Sequence, residues 1–246
     1  MKYAVYVEGL SELLFVADVL QKYSYFDSTI CGFHCVNLTA DVYNWLNNPK
    51  QGDGNSKNFY QIVNVNNDNR VISKLNKDIP SLQRQGFNVI IGLKDVFGEA
   101  YEVLTNGHPN VVRNKIEQLY AIQNDVLKTH VGDCRLHFAI MEYEAWMLAL
   151  IENYVISKGQ NLLELYDKFG LKNDFDPEVD ICHPYPLVQK IFKACGRDYH
   201  KHDSDCLSFL STLTKDDYEK LRYSGRCASF GKFLDSLLGG ECPILP

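Results

Sequence analysis

The sequence has no Cys-x-x-Cys pair, although it holds eight cysteines: Cys31, Cys35, Cys134, Cys182, Cys195, Cys206, Cys227 and Cys242. That absence argues against a ribbon-type zinc site. The tightest cysteine–histidine group is Cys195, His200, His202 and Cys206. Its spacing matches no zinc module and reads as helix-packing thiols beside surface histidines. No apolar run approaches the ~20 residues that span a bilayer, so no membrane segment is expected. The opening Met1-Lys2-Tyr3-Ala4-Val5-Tyr6-Val7-Glu8 has neither a long apolar stretch nor a cleavage site, so no signal peptide is expected. These absences point to a cytoplasmic protein with reduced thiols and no structural disulfide. Basic residues are not in excess either: Lys and Arg number 25 against 31 Asp and Glu, for a net charge of -6. That balance argues against binding nucleic acid by bulk electrostatics, but leaves room for a local basic groove or a basic partner. Internal repeats and low-complexity tracts are missing as well.

What is present is the composition of an ordinary globular chain. With 46% hydrophobic and 23% charged residues over 246 positions, it has material for one large domain, or for one domain with a helical appendage. The first stretch sets the pattern. Met1 to Val7 reads as a buried strand that breaks at Glu8-Gly9. A helix starts near Ser11 as N-cap, with Glu12 in its first turn. Gly9 allows a sharp turn and a close ligand approach.

Further strands are expected at Phe33–Leu38, Tyr60–Val65, Phe87–Leu93 and Arg135–Ile140. Helices are expected at about Arg70–Gln85, Val111–Lys128 and Ala145–Ile151. Pro80 is expected to kink or shorten the first of these three helices. Asp41–Leu46 reads as short helix or irregular chain, and Asn47–Asn58 as a polar loop. Asn64, Asn66, Asn67, Asp68 and Asn69 form a polar strand end that helix capping explains. Alternating strands and helices indicate a mostly parallel α/β sheet. From Ile156 onward strand signals fade, and short helices are expected at Asn161–Phe169, Tyr185–Cys195, Cys206–Leu213, Lys215–Leu221 and Ser229–Leu238. The organisation read from this is an α/β core over residues 1–155, with a helical part over 156–246 packed on it.

Acidic residues follow the strands: Glu8 after the first, Asp95 after Phe87–Leu93, and Glu142 and Glu144 after Arg135–Ile140. Were these strands parallel neighbours, the carboxylates would converge on one sheet edge. Like charges brought together need a counter-charge, and a hard divalent cation is an economical one. Such a site suits phosphodiester chemistry. Lys94 either pairs with Asp95 or reaches a substrate phosphate. Trp146 reads as core rather than as a base-stacking platform. Lys201, Arg222 and Arg226 read either as solvated helix charges or as a local phosphate grip.

Three stretches carry a resemblance: Tyr6-Val7-Glu8-Gly9-x-Ser11-Glu12, Ile90-Ile91-Gly92-Leu93-Lys94-Asp95, and Glu142-x-Glu144-Ala145-Trp146. Together they resemble TOPRIM domains, the metal-binding domains of topoisomerases, bacterial primases and OLD-type nucleases. The likeness is closest to a bacterial family of TOPRIM-like proteins to which roles in defence against phage are ascribed. It extends over most of the chain, with Tyr199-His200-Lys201 and Ser229-Phe230 matching that family's tail. The resemblance implies Mg²⁺ or Mn²⁺ as cofactor. It implies Glu8 as metal ligand or general acid/base, Glu12 as a second acidic ligand, and Asp95 as the first aspartate of an Asp-x-Asp motif, with Glu144 in the metal site. Phe97 stands where that motif has its second aspartate, leaving Glu99 or Glu142 to substitute. The activity implied is a phosphodiesterase acting on DNA or RNA. The alternatives are a non-catalytic subunit that binds nucleic acid, a nucleotide or an ATPase partner, and phosphoryl chemistry on a small nucleotide.

Overall fold

The computed structural model describes every residue except 40, 41, 45–47, 67–69, 109, 128, 129, 131 and 240–246, and only the backbone of 43, 124 and 126. In chain order the elements are β1 (Lys2–Val7), α1 (Leu10–Tyr23), β2 (Cys31–Thr39), β3 (Val42–Asn44), β4 (Lys50–Gln51), β5 (Asn58–Asn64), α2 (Arg70–Arg84) and β6 (Val89–Asp95). Next come α3 (Glu99–Thr105), α4 (Arg113–Leu127), β7 (Asp133–Ala139), α5 (Tyr143–Leu150), α6 (Glu152–Ser157), α7 (Leu162–Phe169) and α8 (Pro177–Asp180). The last are α9 (Tyr185–Ala194), α10 (Asp203–Leu210), α11 (Lys215–Tyr223) and α12 (Ala228–Leu237).

The chain forms two compact units. The first comprises Met1–Lys94, Glu117–Phe138 and the chain from Lys232 onward; the second comprises Asp95–Ile116 and Ala139–Gly231. The strands make one mixed, mostly parallel sheet in the order β3-β2-β5-β1-β6-β7, with β4 also paired to β2. β1 runs parallel to β5 on one side and to β6 on the other, while β3 and β4 are antiparallel to β2. A strand paired on both sides and covered on both faces needs apolar side chains in both directions. β1 meets that demand, with Tyr3 to Val7 all buried.

Packing in the first unit follows from residue shape. The rings of Tyr3 and Tyr60 stack at 4.4 Å, and the Tyr60 hydroxyl donates to the Leu237 carbonyl at 2.9 Å. α2 buries Val71, Leu75, Ile79 and Leu82, the single face its periodicity foretells. It runs past Pro80 to Arg84, so the proline does not end it. Gly92 in β6 is a packing requirement, because a Cβ there would lie 2.6 Å from Leu75 Cδ1 and 2.9 Å from Leu136 Cδ1.

Several local expectations are corrected. The stretch read as helical or irregular contains β3, and the stretch read as a polar loop contains β4, whose Lys50 and Gln51 pair with His34 and Phe33. Both are short edge strands whose partners lie elsewhere in the chain, so periodicity carries little signal for them. α3, α6 and α8 were not expected; each is a short helix of a few residues. Asn67, Asp68 and Asn69 lie outside the described residues. Among the described residues no helix is long and apolar enough to cross a membrane, and the described cysteines are all free thiols.

The first unit also holds a histidine that sets an acid limit. His137 on β7 lies edge-on to Phe233 at 5.7 Å, and its Nε2 is buried without a hydrogen-bond partner. Burial, joined by the charges of Arg135 and Lys232 and opposed by Asp235, pushes its pKa down from 6.5 to about 4. The unfolded chain therefore binds this proton more readily than the folded one. The contribution to stability is complete above pH 6.5 and is lost as pH falls towards 4. We expect urea midpoints to fall across that window, with His137 accounting for an effect on the order of 2–3 kcal/mol. His137→Phe should flatten the dependence, and an unchanged slope in that variant would refute the assignment.

Candidate functional site

In the first unit the β1–α1 connection carries two buried acids, Glu8 and Glu12. The cap of α1 is Gly9, and Ser11 lies inside the first turn, buried, so the expectation of Ser11 as N-cap is corrected. The backbone of Gly9 is extended (φ -139°), which any residue can adopt. No special turn therefore requires glycine at this position. A Cβ there would come 2.8 Å from Glu12 Oε2, so the Glu12 carboxylate is folded back over the start of the helix. Glu8 and Glu12 are both buried. Val7 pairs with Leu93, so Glu8 and Lys94 are the next residues along two adjacent parallel strands. Lys94 is also buried.

The same sheet edge carries an amide network. Asn37 and Asn64 are partners in the β2–β5 register, and Asn64 is the partner of Val7. Asn64 Nδ2 donates to Asn37 Oδ1 at 2.9 Å and to Asn66 Oδ1 at 2.8 Å, and Asn37 Nδ2 donates to Asn48 Oδ1 at 2.6 Å. Asn64 and Asn66 thus cross-link strand ends, beyond the helix capping that the sequence suggested.

The second unit holds the other acids. Asp95 Oδ1 accepts from the amide of Tyr143, the first residue of α5, at 2.9 Å. An anion at that position satisfies an orphan helix N–H and suits the helix dipole. The link from β7 into α5 is tight. Met141 is buried at φ +65°, and the Glu142 amide donates to the Ile140 carbonyl at 3.1 Å, closing a γ-turn. A bulky residue in the left-handed region costs on the order of 1–3 kcal/mol and persists only where its surroundings hold it. Here the Phe97 amide donates to the Met141 carbonyl, and the Val96 amide to that of Ala139.

Beyond this turn Glu142 Oε2 accepts from the amide of Tyr185 at 2.9 Å, at the start of α9, while Oε1 lies 3.4 Å from His183 Nε2. Glu144 is wholly buried (0% exposed) and fully engaged: Tyr199 Oη donates to Oε1 at 2.9 Å, and Lys201 Nζ lies 3.0 Å from each carboxylate oxygen. Lys201 adopts φ +60° and lies 5.0 Å from the centroid of the Tyr185 ring. Burial, with the Glu144 charge next to it, drives the Tyr199 hydroxyl well above the usual tyrosine range. Burial and then the Lys201 charge hold His183 below its ordinary value, against the pull of Glu144 and Glu102.

Other residues singled out by the sequence lie in different surroundings. Trp146 is fully buried, as its reading as core requires, and Nε1 donates to Glu178 Oε1 at 2.9 Å and Ser229 Oγ at 3.1 Å. Arg222 is 3.5 Å from Glu219, and Arg226 lies 5.8 Å from the Phe175 ring, with its Nε buried and unpartnered. Glu99, a suggested substitute acid, opens α3 in an exposed position. His183, Tyr185 and Tyr199 were not anticipated as partners of these acids, nor Glu178 as the partner of Trp146. The only sequence signal for any of them was Tyr199, which lies two residues before Lys201 in the Tyr-x-Lys step.

The acids of both units offer hard oxygen donors, the chemistry that Mg²⁺ and Mn²⁺ take. Among the described residues no group of three or more His, Cys, Asp or Glu side chains is arranged to hold a metal. Comparison with protein families, curated proteins and solved structures finds no match.

Lys201→Met should leave Glu144 buried without its counter-charge. Because Lys201 is itself 38% exposed, the expected loss is about 2–3 kcal/mol, below that of a fully buried pair. Glu144→Gln in the same chain should recover part of it. Urea denaturation of the two single variants and the double variant measures the coupling, and additive losses would refute the pair's role.

Proposed function

We propose that this chain is a Mg²⁺- or Mn²⁺-dependent phosphodiesterase acting on DNA or RNA, in the setting of defence against phage. One observation supports this reading above the others. In the second unit two acids are held by backbone amides at helix starts: Asp95 by Tyr143 N and Glu142 by Tyr185 N. Each of these acids satisfies a helix-start amide and is a hard oxygen donor of the kind a divalent cation takes, whereas Glu144 is ion-paired with Lys201. Mg²⁺ needs only one or two protein carboxylates when substrate phosphates complete its shell, so a sparse ligand set is compatible with it. When bound, the ion would polarise a phosphoryl group and lower the pKa of a water. Asp95 and Glu142 are the residues that would hold it, and Glu144 acts through Lys201 as a positioning residue. In the first unit the TOPRIM resemblance implies an acid–base role for Glu8, with Glu12 as a further acid, and Lys94 is read from the sequence either as a phosphate contact or as a partner of Asp95.

A second reading has its own support. Phe97, at the place of the second aspartate, stacks on His183 at 4.5 Å instead of supplying a carboxylate. Fewer acids and a net charge of -6 favour a non-catalytic subunit that binds nucleic acid or a nucleotide, or docks on an ATPase.

Labelled single- and double-stranded DNA and RNA, incubated with Mn²⁺ with and without an ATPase partner, separate the two readings. The phosphodiesterase predicts cleavage that Glu8→Ala and Asp95→Ala abolish. Asp95→Asn keeps an acceptor for Tyr143 N, so its loss of activity would report on the charge and not on the helix cap. Phe97→Asp should raise activity. Cleavage that survives in Glu8→Ala and Asp95→Ala would sink the proposed chemistry, and no cleavage with any divalent ion would leave the binding subunit.

A further inference from the structure

Beside the amide-held Glu142 in the second unit lies a run of rings. Phe97 and His183 stack with centroids 4.5 Å apart and planes 22° apart. His183 and Tyr185 follow at 6.4 Å and 28°, again close to parallel. The Lys201 ammonium lies 5.0 Å from the far ring, that of Tyr185. The ladder is not sealed in the core. His183 has a side chain 46% exposed, and Phe97 and Tyr185 are partly exposed. A half-open stack of flat rings with a cation at one end and acids beside it differs from both an ordinary core cluster and a solvated surface.

We propose that the Phe97–His183–Tyr185 ladder is a nucleobase-stacking platform, with Lys201 at its end facing the ligand's phosphate. This deepens the phosphodiesterase reading by naming its substrate class: nucleic acid with an unpaired base, at a single-stranded stretch or end, in preference to an intact duplex. Three physical points carry it. A base has a π-face whatever its identity, and protein aromatics bind single strands by stacking on it without sequence readout. Bases within a duplex are already stacked on their neighbours, so the platform discriminates by strandedness. The His183 ring is 46% exposed and lies near-parallel to Phe97 on one side and Tyr185 on the other, so the ladder presents flat ring surface to a ligand. The acids nearby, Glu142 and Glu144, disfavour a bare phosphate, so the base contact supplies attraction that the net charge of the chain does not.

The test measures binding apart from cleavage. Fluorescent 12-nucleotide DNA and RNA single strands, and the matching duplexes, are titrated with the full chain in Ca²⁺. Single strands should bind tighter than duplexes. His183→Ala removes the middle ring that holds Phe97 and Tyr185 in the ladder, and should weaken single-strand binding by roughly tenfold, as loss of a stacking contact does. His183→Phe keeps a flat ring but lacks the nitrogen that faces Glu142, so it should bind as the parent does. A 2-aminopurine at the strand end should be quenched by the parent and by His183→Phe, and not by His183→Ala. Melting curves of the variants verify that each is folded. Equal affinity for single strands and duplexes, or His183→Ala binding like the parent, would overturn the platform. Stacking-dependent binding without any cleavage would refute the phosphodiesterase reading and leave the platform standing. Comparing the DNA and RNA arms shows which sugar the platform accepts.

Discussion

A carboxylate taken out of water must be compensated where it lies, and much of the second unit is arranged around that requirement. Glu144 is wholly buried, and an isolated ionised carboxylate there would cost many kcal/mol. The compensation comes from Lys201 and Tyr199, which fixes where the 199–201 turn must lie and holds Lys201 in the left-handed region. Glu142 and Asp95 meet the same requirement differently, each satisfying an amide at a helix start. The directions of α5 and α9 are thereby tied to carboxylates and do not depend on apolar packing alone. The strained turn at Met141 is the local consequence, since the chain must leave β7 and present Glu142 and Tyr143 within a few residues.

Strands were legible where burial on both faces writes itself into the sequence as an apolar run. β1 and β6 are of this kind, and the acids after them stood out because an apolar run ending in a carboxylate has an obvious break. The organisation of the site was much less legible. Tyr185, Tyr199 and Lys201 meet Glu142 and Glu144 across separations of 43, 55 and 57 residues. No local period encodes such pairings, and a tyrosine in a helical stretch looks the same whether or not its hydroxyl meets a buried acid. The Ser11 expectation failed for a related reason. Serine is a good cap by residue type, but the extended backbone that precedes the helix falls at Gly9, a conformational fact visible only in three dimensions.

Two separated sequence features turn out to be one structural unit. Ala145-Trp146 and Ser229-Phe230 join through Glu178: Trp146 Nε1 and both Ser229 Oγ and Ser229 N bind its carboxylate, while Phe230 packs edge-on to Trp146 at 5.5 Å. Burial raises the Glu178 pKa, and the hydrogen bonds from Ser229 and Trp146 pull it back. The buried indole N–H finds acceptors in both Glu178 and Ser229, where an unmet donor would cost about 1–3 kcal/mol. α5, which carries Glu144, is thus anchored through Trp146 by polar contacts as well as packing. The tryptophan serves the acids by holding the helix that bears them.

The residue at 97 shows how charge and stacking exchange in such an arrangement. An aspartate there would add a like charge to a unit already carrying Asp95, Glu142 and Glu144, and each added carboxylate raises the repulsion that a cation or an ammonium must offset. Phenylalanine removes that repulsion and supplies a ring for His183. Compared with an aspartate, phenylalanine at this position offers less attraction for a cation and more apolar surface for a flat ligand. Both consequences follow from one side chain. In the proposed reading they act together, with fewer fixed charges calling for fewer metal ions and the stacked rings providing a hold on the substrate that does not depend on its phosphates.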